Sequence, residues 1–488
     1  VRSSHTESTP QPTDRSFFGQ PPVLANLFGV ELWERFSFYG MQGILLIYLY
    51  FSVSDGGLGM DRAVAAGIVG AYGGSVYLST ILGAWFADRV LGPERTLFYS
   101  AVLVMIGHVA LAVLPGLAGV GVGLVLVALG SGGVKANATS LVGSLYGEHD
   151  DRRDAGFSIF YMGINIGALV GPLLTGVLQK EWGFHFGFGL AAIGMAFGLA
   201  QYARGRSRLP EETHHVPDPL PAGALPRYGV GAVAVLALIV VLVLVGVITA
   251  GRLADIVIWV SVLASVGLFA LMLADRAVVG QERSRVLAMI PLFVCSAVFW
   301  SLYQQQFTVV TIYADDRLNR DLFGWEMPIS WVQSINPVFI IVFAGVFAAL
   351  WTRLGDRAPR TPAKFGLAAV VMGLAFLAFL LMPAGENSVP LVGLTAILLL
   401  FTIAELLISP VGLSVSTKLA PAKYHTQMVA LFFLSVALGS AVSGKLAGYY
   451  HPDDETGFFL IIGAVSVAVG LLVLVAKTPI QRLMAGVR

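Results

Sequence analysis

The sequence predicts an all-α membrane protein with fourteen transmembrane helices, set out as two six-helix bundles with a two-helix insertion between them. Three observations carry this. The chain of 488 residues is 56% hydrophobic and only 12% charged, with mean hydropathy +0.79, whereas soluble globular chains carry about 25% charged residues. Apolar runs recur at lengths of about 20 residues, enough for a helix to cross a bilayer core. The polar breaks between these runs alternate in charge, with Lys and Arg crowding every second one.

In chain order, residues 1–22 place Pro10, Pro12, Pro21 and Pro22 among polar residues and read as a flexible cytoplasmic tail. Apolar segments near 26–51, 63–87, 96–116, 120–146, 156–179 and 184–203 make a first bundle within 23–203. The Pro-rich stretch "RGRSRLPEETHHVPDPLPAGALPR" then excludes a span. It opens a region, 204–284, that holds a cytoplasmic linker and an inserted hairpin near 228–250 and 253–275. Apart from Arg252 and Asp255 near its turn, that hairpin is almost uniformly Val, Leu, Ala and Ile. A helix apolar on all sides meets lipid or packed protein, not water, so a peripheral position is expected. Segments near 285–314, 328–353, 363–383, 390–417, 426–449 and 457–476 form the second bundle, 285–476. A short cytoplasmic tail, 477–488, ends the chain.

One side of the membrane collects Arg89, Arg95, Arg204, Arg276, Arg283, Arg353, Arg360, Lys418 and Lys477. The other holds only Arg62, Lys180, Arg252, Arg317 and Arg320. The basic side also holds both termini, which predicts a multi-pass protein of the inner (plasma) membrane with both ends in the cytoplasm. A weak repeat supports two related halves. "GAWFADRVLGPER" and "ALWTRLGDR" each put an Asp-Arg pair, Asp88 and Arg89 then Asp356 and Arg357, after the second helix of a bundle. Two such halves are the ground plan of secondary transporters. The net charge of +1 argues against a nucleic-acid partner. The single cysteine, Cys295, excludes an internal disulfide and any multi-cysteine metal site. No phosphate loop or HExxH metal motif points to an enzyme.

The first helix raises the functional question, because "GVELWERFSFYGMQGILLIYLYF" carries Glu31, Glu34 and Arg35 into an apolar span. A charge at mid-bilayer costs about 2.5–3.5 kcal/mol on insertion scales, so it turns inward and finds partners. Glu31, Glu34, Arg35, Phe38, Tyr39 and Gln42 follow helical spacing and lie on one face. Further intramembrane polar residues are Lys135 in "GGVKANATSLVG", Asn165 in "FYMGINIGALVGP", Asn336 before Pro337, and Glu405 in "FTIAELLISPVGL". Tyr39, Tyr77, Tyr161 and Trp300 add amphipathic aromatics suited to a wet cavity. Gly163, Gly167 and Gly171 make a small-residue face for close helix packing. His108 and Lys445, lone and without a motif, read as packing and snorkelling residues. Cations dominate the first half, and a carboxylate stands in the second. A zwitterion with separated charges, such as a small peptide, fits that division.

These residues resemble a known family. "ELWERFSFYG" is similar to the ExxERFxYYG motif of the proton-dependent oligopeptide transporters, bacterial members of the major facilitator superfamily. "FYMGINIGAL" is similar to their FYxxINxGSL signature. "GGVKANATSLVG" and "AELLISPVGLSVSTKLAP" look like their fourth and tenth core helices. The resemblance implies a major facilitator fold and proton-coupled symport of di- and tripeptides and peptide-like drugs by alternating access. No cofactor beyond the coupling proton is implied, and the membrane-embedded chain is expected to be a monomer. Carried over residue by residue, Glu31, Glu34, Arg35 and Lys135 would couple the proton. Arg35 and Lys135, with Tyr39 and Tyr77 nearby, would hold the peptide carboxylate. Asn165, Asn336 and Glu405 would hold its amino group. Trp300 and Phe432 would line a side-chain pocket.

The chain also departs from that pattern. Gln42 stands where many members have Arg, and Tyr303 and Gln304 occupy the positions where many carry Glu. With both charges gone, losing the pair costs far less than orphaning one member, and Gln–Gln hydrogen bonds are left to close the outer gate. Asp315 and Asp316, about three turns on, are given no coupling role. Two other readings remain: a proton-coupled exporter of drugs or other small molecules, and a carrier of a small anion such as nitrate. Glu405 disfavours the anion, since a buried carboxylate repels it.

Overall fold

The computed structural model describes residues 17–147, 150–221 and 223–487. Residues 1–16 of the expected N-terminal tail lie outside the described residues. Six helices open the chain: α1 (Leu24–Tyr50), α2 (Arg62–Phe86), α3 (Pro93–Val113), α4 (Gly116–Gly143), α5 (Arg153–Trp182) and α6 (Phe184–Gly205). The hairpin follows as α7 (Ala224–Leu244) and α8 (Leu253–Ala274). The second half comprises α9 (Gly280–Tyr303), α10 (Val309–Asp316), α11 (Ile335–Leu354), α12 (Thr361–Ala378), α13 (Leu391–Leu419), α14 (His425–Ala447), α15 (Glu455–Val475) and the short α16 (Lys477–Leu483). Among the described residues, thirteen spans, with α9 and α10 counted as one, are long and apolar enough to cross a membrane on composition. The first helix is the fourteenth. Its polar stripe makes it less apolar than the others, yet Glu31, Glu34 and Arg35 are all buried against protein.

Local chemistry sets the helix ends. Asp61 caps α2 by accepting from the backbone N–H groups of Ala63 and Val64 at 3.0 and 3.1 Å, satisfying donors that the first turn leaves open. Pro93 sits in the first turn of α3, where its missing N–H costs nothing. Within the first half, α1 packs closely on α5. The small-residue face makes this possible: a side chain at Gly167 or Gly171 would run into the backbone of Leu32 or Phe36. Between the halves, α2 packs on α14 where Gly70 meets Gly444. A Cβ on Gly70 would stand 2.6 Å from the Gly444 Cα.

Two elements differ from expectation. The segment expected as one helix over 285–314 is broken. Gln304–Phe307 form a 3-10 turn, and Thr308 leaves helical geometry at φ −126°, ψ −95°. Three consecutive glutamines at the break compete for backbone and serine partners, and all are buried. The hairpin is also only half peripheral. No residue of α7 is buried, but α8 packs against both α2 and α14, one helix from each half. Lys445 is not a lone snorkelling residue, because its ammonium pairs with Asp255 of α8 at 2.9 Å. His108 is fully buried, with neither ring nitrogen hydrogen-bonded among the described residues.

The halves meet at the end opposite the basic loops. There Arg62 grips Asp316 with two hydrogen bonds of 2.7 and 3.0 Å, and Tyr50 donates to Asp315 at 2.7 Å. Ser330, Trp331 and Ser334 donate to the carbonyls of Pro172, Leu173 and Leu169 at 2.8–3.0 Å. Lys180 adds an ion pair to Glu326, in a two-residue β-hairpin of β1 (Asp321–Leu322) and β2 (Trp325–Glu326). Among the described residues, the hydrogen bonds and ion pairs between α1–α6 and α9–α15 all lie in this half of the molecule. Among the described residues, no hydrogen bond or ion pair joins the two bundles at the basic end.

Candidate transport site

The first-half cluster is built on α1 and α4. Arg35 Nε lies 2.7 Å from Glu31 Oε1 and 3.1 Å from Glu34 Oε2, so one guanidinium edge serves two carboxylates a turn apart. Ser131 of α4 donates to Glu34 Oε1 at 2.6 Å. Among the described residues Glu31 Oε2 is buried without a hydrogen-bond donor, and Glu34 Oε2 has only its ion-pair contact with Arg35. Sequence reading missed Ser131. The available signal was its position one turn before Lys135 on the same helical face.

Lys135 does not join that cluster. Its ammonium lies 5.0 Å from the centroid of the Phe38 ring and 5.5 Å from that of Tyr77, within cation–π range. Among the described residues no carboxylate comes within 4.0 Å of it. Tyr39 stacks on Phe307 across the divide, with centroids 6.2 Å apart.

The second-half pole is Glu405 of α13. Its Oε2 accepts from the Tyr303 hydroxyl at 2.8 Å and from Asn336 Nδ2 at 3.2 Å. Asn336 also donates to Thr402 at 3.1 Å. No Lys, Arg or His among the described residues pairs with Glu405. Tyr303 and Thr402 were missed as partners: Tyr303 was noted only as a replacement for an acid, and Thr402 sits one turn before Glu405. Ser409, one turn after it, has a buried hydroxyl with no partner among the described residues.

The remaining expected residues divide. Trp300 is 7% exposed, with its indole N–H unpartnered, and it packs edge-on against Tyr303. The Phe432 ring covers Gly412 of α13. Asn165 spends its amide N–H on its own helix, donating to the Tyr161 carbonyl at 2.9 Å. It is not bonded to Asn336 or Glu405. The expected Gln–Gln gate is absent. Gln42 Oε1 is buried without a partner, while Gln304 donates to Ser440 of α14 at 3.0 Å. The helix break explains this, because the 3-10 turn directs Gln304 into its own half. Closure falls to Arg62, Asp315 and Asp316 instead. No group of three or more His, Cys, Asp or Glu able to hold a metal occurs among the described residues.

Two bundles closed at one end around buried charges of opposite sign define a membrane transporter of the major facilitator fold. The POT family model matches residues 94–461, and the chain belongs to that family. It is 41% identical to an uncharacterized transporter, YclF, of Bacillus subtilis (strain 168), covering 99% of this chain and 98% of that protein. It is 39% identical to the di-/tripeptide transporter of Lactococcus lactis subsp. cremoris, covering 98% and 99%. A crystal structure of peptide transporter POT in complex with sulfate superimposes with a TM-score of 0.92 at 42% identity, covering 97% of each chain. A mutant of that transporter in complex with alafosfalin gives 0.91.

Proposed function

We propose that the chain is a proton-coupled symporter that brings di- and tripeptides, and peptide-like drugs, into the cell by alternating access. One observation carries the reading: Lys135 and Glu405 are half-buried groups of opposite charge in opposite halves, and among the described residues neither has an ionic partner. A charge drawn partly out of water without a partner carries a desolvation cost. A zwitterion that reaches both poles relieves both at once, whereas an anion or a cation relieves one and aggravates the other. The names of the relatives and the peptide-like ligand of the solved neighbour support the same substrate class.

In this reading Arg35 and Lys135 hold the substrate carboxylate, with Tyr39 and Tyr77 against its backbone. Glu405 and Asn336 hold the amino group, with Asn165 reached only if it releases Tyr161. Trp300 and Phe432 bound the side-chain space, and Gln42 and Gln304 line the closed end. Glu31, Glu34, Arg35 and Lys135 carry the coupling. When Arg35 turns to a peptide carboxylate, it supports Glu31 and Glu34 less, and a proton binds them more readily. Proton and peptide then favour each other's binding, as linkage requires. The basic end faces the cytoplasm with both termini, in the plasma membrane, so the described conformation is open inward and closed outward. The protein works as a carrier without enzyme chemistry, with no cofactor besides the proton, as a monomer built from halves 23–203 and 285–476.

The test is uptake of labelled dialanine into liposomes holding the purified protein, with and without an inward proton gradient. Gradient-driven accumulation is expected. Uptake that ignores the gradient overturns the coupling, and no uptake with intact protein overturns the substrate.

A further inference from the structure

A groove of about 860 Å³ opens at the basic end of the second half, apart from the transport site. Arg360 at the start of α12 forms one wall, and Lys477, Gln481 and Arg482 of α16 form the other. Leu367 of α12, Leu474 of α15 and Val487 make the floor. The groove is a built feature. On α16, Ile480 turns inward and is buried, as is Met484 just beyond the helix, while Lys477 and Arg482 stay exposed. The segment after α16 is tied to the start of α9: Ser284 donates to the Leu483 carbonyl at 2.8 Å and Arg285 to the Ala485 carbonyl at 3.3 Å.

Among the described residues, none of Arg360, Lys477 and Arg482 has a carboxylate within 4.0 Å. Three like charges around one groove repel each other until an anion neutralises them. The floor narrows the choice of anion. Leu367 and Leu474 belong to helices that run on into the lipid-facing zone, and Leu472 and Val475 beside them are 68% and 83% exposed. Lys364 lies 4.4 Å from the centroid of the Trp351 ring nearby, an aromatic–cation pair of the kind that marks the headgroup level. An anion lying over hydrocarbon at that depth is a lipid phosphate. Basic pockets between helix ends suit such headgroups, and arginine forks match phosphate oxygens.

We propose that this groove binds the phosphate of an anionic phospholipid in the leaflet at the basic end. Arg360, Lys477 and Arg482 hold the phosphate, and Leu367 and Leu474 receive the first carbons of the acyl chains. On the orientation proposed above this is the inner leaflet, but the test does not depend on that orientation or on the substrate.

The test is native mass spectrometry of the full chain released from micelles doped with phosphatidylglycerol or phosphatidylcholine. The wild type should retain phosphatidylglycerol at least tenfold better, and the triple variant R360Q/K477Q/R482Q should lose that preference while keeping its thermal midpoint. Equal retention of the two lipids by the wild type, or an unchanged preference in the triple variant, overturns the proposal. Should the triple variant unfold, Lys477→Gln and Arg482→Gln singly should each weaken phosphatidylglycerol retention severalfold. No change in either also overturns it. Soluble glycerol 3-phosphate separates the two sources of phosphate. If it displaces the lipid at equal concentration, the groove is a site for a soluble anion and the lipid assignment fails.

Discussion

The Tyr303 phenol donates a 2.8 Å hydrogen bond to Glu405, linking α9 to α13 at the position where many relatives in the resembling family carry an acid. A neutral donor there steadies the carboxylate without competing for a cation. A hydrogen bond to a charged group contributes about 1.5–3 kcal/mol. Glu405→Gln should therefore weaken binding of free-amine dipeptides about tenfold to hundredfold and spare N-acetylated ones. Competition binding of dialanine and N-acetyl-dialanine checks this, and equal loss for both would sink the assignment. Tyr303→Phe should act through the same carboxylate, so adding it to Glu405→Gln should cost little more.

Among the described residues Lys135 has aromatic rings for neighbours and no carboxylate within 4.0 Å. Its charge is therefore free for the substrate. Lys135→Ala should reduce gradient-driven dialanine uptake at least tenfold with the protein still folded. Near-native uptake would make the lysine a packing residue.

Glu34→Gln tests the coupling cluster cleanly, because the amide oxygen still accepts from Ser131 as Glu34 does at 2.6 Å. Accumulation against a gradient should vanish while counterflow of labelled dialanine persists. A mutant that still concentrates peptide would place the proton elsewhere.

The outer gate rests on Arg62 and Asp316. Arg62 is 42% exposed along its side chain, so the pair contributes about 1 kcal/mol or less. Arg62→Gln should shift the outward-open population by about fivefold at most, read as a longer spin-label distance between α2 and α10. An Arg62→Asp, Asp316→Arg exchange should restore the wild-type distribution. An unchanged distribution in Arg62→Gln would show that the other contacts at that end, Tyr50 to Asp315, Lys180 to Glu326 and the α5 carbonyls, hold the gate without it.

Asp275, in the turn between α8 and α9, is held below the usual carboxylate range by hydrogen bonds from Lys423, the Ala277 N–H and Tyr424. A depressed carboxylate stabilises the fold above its unfolded pKa, and that contribution is lost as the pH falls through the folded value. Asp275→Asn should lower the thermal midpoint by about one degree or less, equally at about pH 6 and about pH 8. A penalty that varies across that interval would mean the pair titrates there.

Most of the architecture was legible because lipid imposes a single rule on a spanning chain, and apolar length with loop charge reports it directly. The charged first helix was legible too, since Glu31, Glu34 and Arg35 follow helical spacing. Other features left weaker traces. The break at Gln304–Thr308 has neither proline nor glycine, and it arises from glutamines drawn to the serines of α14. The Arg62–Asp316 clamp joins residues far apart in sequence, and each alone is an ordinary loop charge. Tyr303 looked like a lost acid until its distance to Glu405 was known. Asn165 shows the converse: a motif named it, but its amide is occupied by its own helix.

The inserted hairpin bears on how the molecule moves. Helix α8 is pinned to α14 where Asp255 pairs with Lys445, and just past its other end Asp275 pairs with Lys423 in the turn that leads into α14. Against α2 it has no hydrogen bond or ion pair among the described residues, only small apolar contacts such as Val257 against Ala71. When the two halves swing, the unbonded face slips and the pinned face holds. The mass that rocks is therefore eight helices against six, and α8 serves as a sliding bearing on the flank of the smaller body.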